Sequence, residues 1–198
     1  DHVWSIEIDA ELAATARDPN QLRNLASRMQ QDGELDKAIE LLRKAAKMSP
    51  GQGYMQSQLA SALVEKGQLD EAVKAYEEWF NSPQTRVQSQ SYVDHYTLLR
   101  LAGLYKATGK LDDLKKRCET DLQKNSADRT ARALQGHIAF LEKRYAEALA
   151  GFQAITQTGP GDPNVISQLV QLAGFSGLFK EVLAVAEKAN SGMPSWDA

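Results

Sequence analysis

A period of 34 residues constrains this chain more than any other feature of its sequence. Leu25-Ala26, Gly33-Glu34-Leu35-Asp36-Lys37-Ala38, Leu42 and Ala45 recur, one period on, as Leu59-Ala60, Gly67-Gln68-Leu69-Asp70-Glu71-Ala72, Tyr76 and Trp79. A third copy reads Leu101-Ala102, Gly109-Lys110-Leu111-Asp112-Asp113-Leu114 and Cys118, and a fourth Gly136, Arg144-Tyr145-Ala146-Glu147-Ala148, Phe152 and Pro160. The fifth, weaker, is Leu169-Val170, Gly177-Leu178-Phe179-Lys180-Glu181-Val182, Ala186 and Pro194. Such copies cannot each bury an apolar face alone, so they must stack on one another. The register places repeats at 19–52, 53–86, 95–128, 129–162 and 163–196, with residues 1–18 in front and an insertion at 87–94. Asp18-Pro19-Asn20 and Asp162-Pro163-Asn164 lie 144 residues apart, which is four periods plus the eight inserted residues.

Each repeat reads as two amphipathic helices around a turn. Leu22, Leu25, Ala26 and Met29 share one helical face, as do Leu35, Ala38, Ile39 and Leu42. Proline is comfortable in the first helical turn, where its missing N–H costs nothing, and the Asp before it is a good N-cap. The small residues Ala26, Ala60, Ala102 and Gly136 midway along the first helices, and Ala38, Ala72 and Ala148 opening the second, allow close helix approach. Gly33, Gly67, Gly109 and Gly177 suit turns with positive φ. In these positions the chain resembles the tetratricopeptide repeat family, whose unit is a helix–turn–helix of about 34 residues. The resemblance implies an all-α, right-handed α-solenoid of about five repeats, and residues 1–18, with Ile6, Ile8 and Leu12, would supply a capping or half-repeat helix.

Three departures carry expectations of their own. Leu114 replaces the small residue of the third repeat's second helix, which predicts a slightly different packing of that pair. Lys143 stands where a turn glycine is expected, which predicts a different turn conformation. The insertion 87–94 has no breaker after Pro83, which favours a lengthened helix. The last helix, with Val182, Leu183 and Val185, has an incompletely polar outer face for a terminal cap. The chain begins without methionine, so an excised or processed segment of a longer protein is expected.

Chemistry-bearing constellations are absent from the sequence. Cys118, the single cysteine, excludes an internal disulfide and reads as small apolar filler despite Lys116 and Arg117 beside it. His2, His95 and His137 have no metal or triad spacing, Asp112-Asp113 reads as a helix-opening pair, and no phosphate-binding glycine motif occurs. No enzyme activity, metal or cofactor is therefore expected. The longest apolar run is Val182–Ala186, far short of the roughly 20 residues a bilayer span needs, so no membrane-spanning helix is expected. The formal charge of −3 gives no general attraction to nucleic acid. Residues 95–144 hold 11 basic and 6 acidic side chains, but the lysines alternate with acids and lack interleaved aromatics, as a solvated helix face does.

Ligands of the family lie against the concave surface lined by first helices. Carried over position by position, the resemblance implies a surface of Asn20, Arg23 and Ser27, then Tyr54 and Gln58 with Ser57 and Ser61. Tyr96 and Arg100 continue it, then Thr130 and His137, then Asn164 and Gln168 with Ser167 and Gln171. Amides and hydroxyls suit an extended peptide backbone, and tyrosines add apolar area at low entropic cost. Some members grip a C-terminal carboxylate with lysine and asparagine pairs on these helices. Here Arg23 and Arg100 supply two cations, but Ser27 and Gln58 stand where asparagines belong and Tyr96 where a lysine belongs. A looser ligand is expected: an extended, mildly acidic segment, held by a non-enzymatic scaffold for proteins or peptides. Two other readings stay open. One is a structural segment self-associating through its end helices, and the other, less favoured, is RNA binding by a related helical array. The sequence leaves the compartment open.

Overall fold

The computed structural model describes residues 15–83, 94–157 and 163–190, with the side chains of 156, 157, 163, 164, 166 and 188–190 outside the description. The capping helix expected in 1–18 and the lengthened helix expected in 87–94 fall almost wholly outside these residues. All described regular structure is helical. The first helices are α1 (Pro19–Gln31), α3 (Gly53–Glu65), α5 (His95–Ala107), α7 (Arg129–Leu141) and α9 (Pro163–Ser176). Their second helices are α2 (Leu35–Met48), α4 (Leu69–Asn81), α6 (Leu111–Lys124), α8 (Tyr145–Gln157) and α10 (Phe179–Asn190). The chain forms two compact units, Asp1–Arg86 and Val87–Ala198, each a stack of helical hairpins.

Helix starts follow from capping. Asp18 accepts from the Asn20 amide at 2.9 Å, Asp94 from the Thr97 amide at 3.0 Å, and Asp128 from the Ala131 amide at 2.9 Å. Each satisfies an amide that the helix itself leaves without a partner. Asp94 also accepts from the Thr97 hydroxyl at 2.8 Å. Inside the hairpins the apolar stripes meet. Leu22, Leu25 and Ala26 are buried against Ala38, Ile39 and Leu42 in the first, and Leu59, Ala60 and Leu63 against Ala72 and Tyr76 in the second.

The first four hairpin turns share one geometry. Gly33, Gly67 and Gly109 have φ of 79°, 80° and 72°. In each, the glycine amide donates to the carbonyl three residues back and the next amide to the carbonyl five back, as Gly33 to Gln30 and Glu34 to Met29 do. Lys143 corrects the expectation of a different fourth turn. Its φ is 61°, and it makes the same two bonds, Lys143 to Phe140 and Arg144 to Ala139. The paired hydrogen bonds impose the left-handed conformation on a residue with a Cβ, at a steric cost that glycine avoids.

The third hairpin is packed differently, as Leu114 predicts. Leu114 is fully buried, and α5 and α6 approach each other at far fewer places than the partners in the other hairpins. α5 instead packs closely on α7. The fourth hairpin is the tightest of the C-terminal unit. A Cβ on Gly136 would lie 2.8 Å from the Phe152 ring, and one on Gly151 would lie 3.1 Å from the Gly136 Cα. These two glycines let α7 and α8 cross at backbone contact. In the last hairpin Val182 and Val185 turn inward, while Phe175, Phe179 and Leu183 are exposed.

Candidate functional site

The polar residues assigned to the first helices group into two small clusters, one in each unit. In the N-terminal unit Asn20 and Arg23 of α1 meet Tyr54 of α3. The Tyr54 hydroxyl donates to the Asn20 side-chain carbonyl at 3.1 Å, and the Arg23 guanidinium carbon lies 5.7 Å from the ring centroid. Arg23 also donates to Asn24 at 3.1 Å, which fixes the guanidinium along the ring. Tyr54 remains 39% exposed, so one ring face is still available to a ligand. The pairing follows from the period: position two of one repeat stacks beside positions two and five of the repeat before it. Ser27 returns its hydroxyl to the Arg23 carbonyl at 3.2 Å, and Gln58 is exposed one turn along α3 from Tyr54. Ser57, by contrast, is buried and takes a hydrogen bond from the Tyr76 hydroxyl at 3.2 Å, so it belongs to the hairpin core.

In the C-terminal unit the cluster is a single-helix pair. Tyr96 and Arg100 lie one turn apart on α5, with the guanidinium carbon 5.2 Å from the ring centroid. Arg100 donates to the Tyr96 hydroxyl oxygen at 3.0 Å, leaving the hydroxyl hydrogen free to point elsewhere. Tyr96 is the more exposed of the two tyrosines, at 57%. Both clusters are amphipathic platforms: a planar ring for apolar contact, and an arginine whose charge the ring face already holds in place.

His137 does not belong to such a surface. It is buried, with its Nε2 3.1 Å from His95 Nδ1, because α5 lies across the face of α7 that the repeat register leaves open. Thr130 on the same face is buried too. Gln168 is half-buried on α9; Asn164 lies in the first turn of α9, with its side chain outside the described residues.

Two grooves run on the other side, between successive second helices. One, of about 430 Å³, includes Lys115, Glu119, Arg132, Arg144 and Glu147; the other, of about 380 Å³, includes Arg43, Lys47, Glu71 and Glu78. Cations in both already face carboxylates of their own unit. Lys115 reaches Glu142 at 2.6 Å and Asp112 at 3.0 Å, while Arg43 pairs with Glu71 and Arg144 with Glu147. Lys115, then Arg144, hold the Glu142 carboxyl below its ordinary range, and Glu142 raises Lys115 in return. Burial, then the nearby Asp121 charge, pushes the Cys118 thiol up to about 12, which leaves it without a reactive thiolate. Among the described residues no group of three or more histidine, cysteine or acidic side chains could hold a metal ion. No described helix is long and apolar enough to cross a membrane.

Comparison with known proteins bears on the same repeats. A family model described as tetratricopeptide repeat matches residues 29–89. Tetratricopeptide repeat protein 21A of Homo sapiens is 27% identical over 176 residues, covering 81% of this chain and 13% of that protein. The chain thus spans about an eighth of the relative's length. Among solved structures, YrrB, described as a TPR protein with an unusual peptide-binding site, aligns over 94% of this chain and 92% of its own, at 17% identity and a TM-score of 0.43. The MamA protein aligns over 88% and 91%, at 13% identity and a TM-score of 0.41.

Proposed function

Because this chain belongs to the tetratricopeptide-repeat family, with the architecture of a protein-interaction scaffold, we propose that it binds extended peptide segments of a partner protein. The binding faces are those of the first helices, and the chain performs no chemistry of its own. The observation that carries this reading is the recurrence of an exposed tyrosine with an arginine on its ring, Tyr54 with Arg23 and Tyr96 with Arg100. Both tyrosines occupy the second position of their repeats. Ring area favours apolar side chains of a peptide at small entropic cost, and the arginines favour acidic ones. Asn20 and Gln58 stand beside the first platform with donors and acceptors suited to a peptide backbone.

Peptides of about ten residues, selected from a displayed random library against the full chain, test this. Selected peptides should weaken about tenfold with Tyr54→Ala or Tyr96→Ala, and keep their affinity with Lys115→Ala. The reverse pattern would move the site to the grooves between second helices. Exposed Phe175, Phe179 and Leu183 favour a second reading, self-association through the last hairpin. Sedimentation should then show a dimer that Phe179→Ser dissolves.

A further inference from the structure

His95 opens α5 and His137 lies near the end of α7, and both are buried, at 2% and 1% exposure. Their rings meet at 3.1 Å, Nδ1 of His95 to Nε2 of His137. Phe152 of α8 closes the cluster edge-on, 5.9 Å and 5.1 Å from the two ring centroids. At that separation one nitrogen must carry the hydrogen and the other the lone pair. Two imidazolium rings would set N–H against N–H and two like charges in an apolar site. Burial, then the adjoining His95, pushes the His137 imidazole well below its ordinary range.

The surrounding charges are committed elsewhere. Asp94 caps α5 through Thr97, Arg100 lies on Tyr96, and Lys106 donates to the Leu141 carbonyl at 2.6 Å. On α6, Lys115 is engaged with Asp112 and Glu142. On α7, Arg129 is buried at the opposite end of the helix from His137, and Arg132 is held by the Ser126 carbonyl at 2.9 and 2.6 Å. On α8, Glu147 pairs with Arg144, and α9 has no charged residue. Among the described residues no carboxylate hydrogen-bonds to His137.

We propose that the His95–His137 contact is an acid-released latch. Proton uptake in mild acid breaks it and frees α5 from α7, loosening the C-terminal unit. The described residues of the N-terminal unit contain no histidine, so that unit stays closed. The sign follows from linkage: the closed pair holds at most one proton, because a second one on His137 would break the contact, whereas the opened rings accept two; closure is therefore fully stable above the ordinary histidine value and weakens as pH falls below it. The one proton that closure refuses raises the open population about tenfold between pH 7.5 and 5.5, still above the carboxylate range. α5 also carries Tyr96 and Arg100, so opening would reach that exposed pair, although the latch does not depend on any ligand binding there.

Amide hydrogen exchange of the full chain at pH 7.5 and 5.5, corrected for intrinsic exchange, tests the latch. Opening of α5 and α7 should rise about tenfold, with α1–α4 unchanged. His137→Phe keeps a ring against Phe152 without a titrating group, and should reduce the rise to less than threefold. Imidazole C2 proton spectra of the unaltered chain provide a readout independent of that variant's folding. While α5 and α7 remain protected, the His137 ring should stay neutral down to pH 5.5. Titration of both rings near pH 6.5 with α5 and α7 still protected would overturn the proposal. So would an equal acid response in α1–α4, or an undiminished response in the folded His137→Phe variant.

Discussion

In the N-terminal unit, the polar contacts that cross from the first repeat to the second lie at the rim. Gln30 donates to Glu65 at 3.2 Å, Lys66 pairs with Asp36, Arg43 pairs with Glu71, and Tyr54 donates to Asn20. In the C-terminal unit, the crossing from the third repeat to the fourth has rim contacts too, Lys115 with Glu142 and Lys106 with the Leu141 carbonyl, and adds an interior cluster, where His95 and His137 pack on Phe152 and Gly136 leaves room for that ring. Rim pairs are screened by salt and are individually worth little; interior contacts are dry, shape-dependent and costly to disturb. The second crossing thus adds a fitted cluster to contacts of the replaceable kind. The two units should differ in what damages them.

The largest effect should come from emptying the cluster. Phe152→Ala should cost about 3–5 kcal/mol, and calorimetry should show one unit destabilised while the exchange protection of α1–α4 persists. Equal loss in both units would mean that they unfold as one. Overpacking comes next. Ala60→Leu should cost about 1–3 kcal/mol, and Ala102→Leu should fall toward the low end of that range, because α5 and α6 are already less closely apposed. Denaturant midpoints that reverse this order would contradict the looser third hairpin. Lys143→Gly should stabilise by up to about 1 kcal/mol by relieving the left-handed backbone, read as a rise in thermal midpoint. The smallest effect belongs to the rim: Arg43→Ala should cost less than about 1 kcal/mol and nothing measurable at high salt. Acid separates the units again. Glu142, held low by Lys115, contributes stability above its ordinary value near 4.5, and loses it as pH falls further. Glu142→Gln should therefore flatten stability only below about pH 4.5, in a pH titration of the thermal midpoint.

The helical hairpins were legible because capping and burial leave marks at fixed spacing. Asp18 and Asp128 cap where the period demands, and Leu25 and Ala26 are buried where their stripe demands. Lys143 was misjudged because a turn is set by hydrogen bonds among neighbouring amides, which residue type only biases. His137 was misjudged for a different reason. The period gives the inward face of a hairpin, but not the angle at which the next one crosses it. That angle decides whether a first-helix residue stays open, as Tyr54 does, or is covered, as His137 and Thr130 are. Arg100 on Tyr96 was visible as a pair one helical turn apart. The contact of Arg23 with Tyr54 needed the stacking of two repeats, and no local pattern announces the meeting of His95 with His137, 42 positions apart.

The close fit of Gly136 against Phe152 also makes the order of sequence change matter. An alanine at position 136 would set its Cβ 2.8 Å from the Phe152 ring, so the buried ring must shift to admit it. A lineage would acquire that alanine at least cost after position 152 had first become smaller, for instance through Phe152→Leu. Taken in the other order, the intermediate would carry both an extra methyl group and an undiminished ring. The two single changes would then be far from additive. The order is a bias of this hairpin alone: the second repeat carries Ala60 and Tyr76 at the matching positions, both buried, whereas here Gly151 brings α8 onto the Gly136 backbone and removes the slack that would admit both.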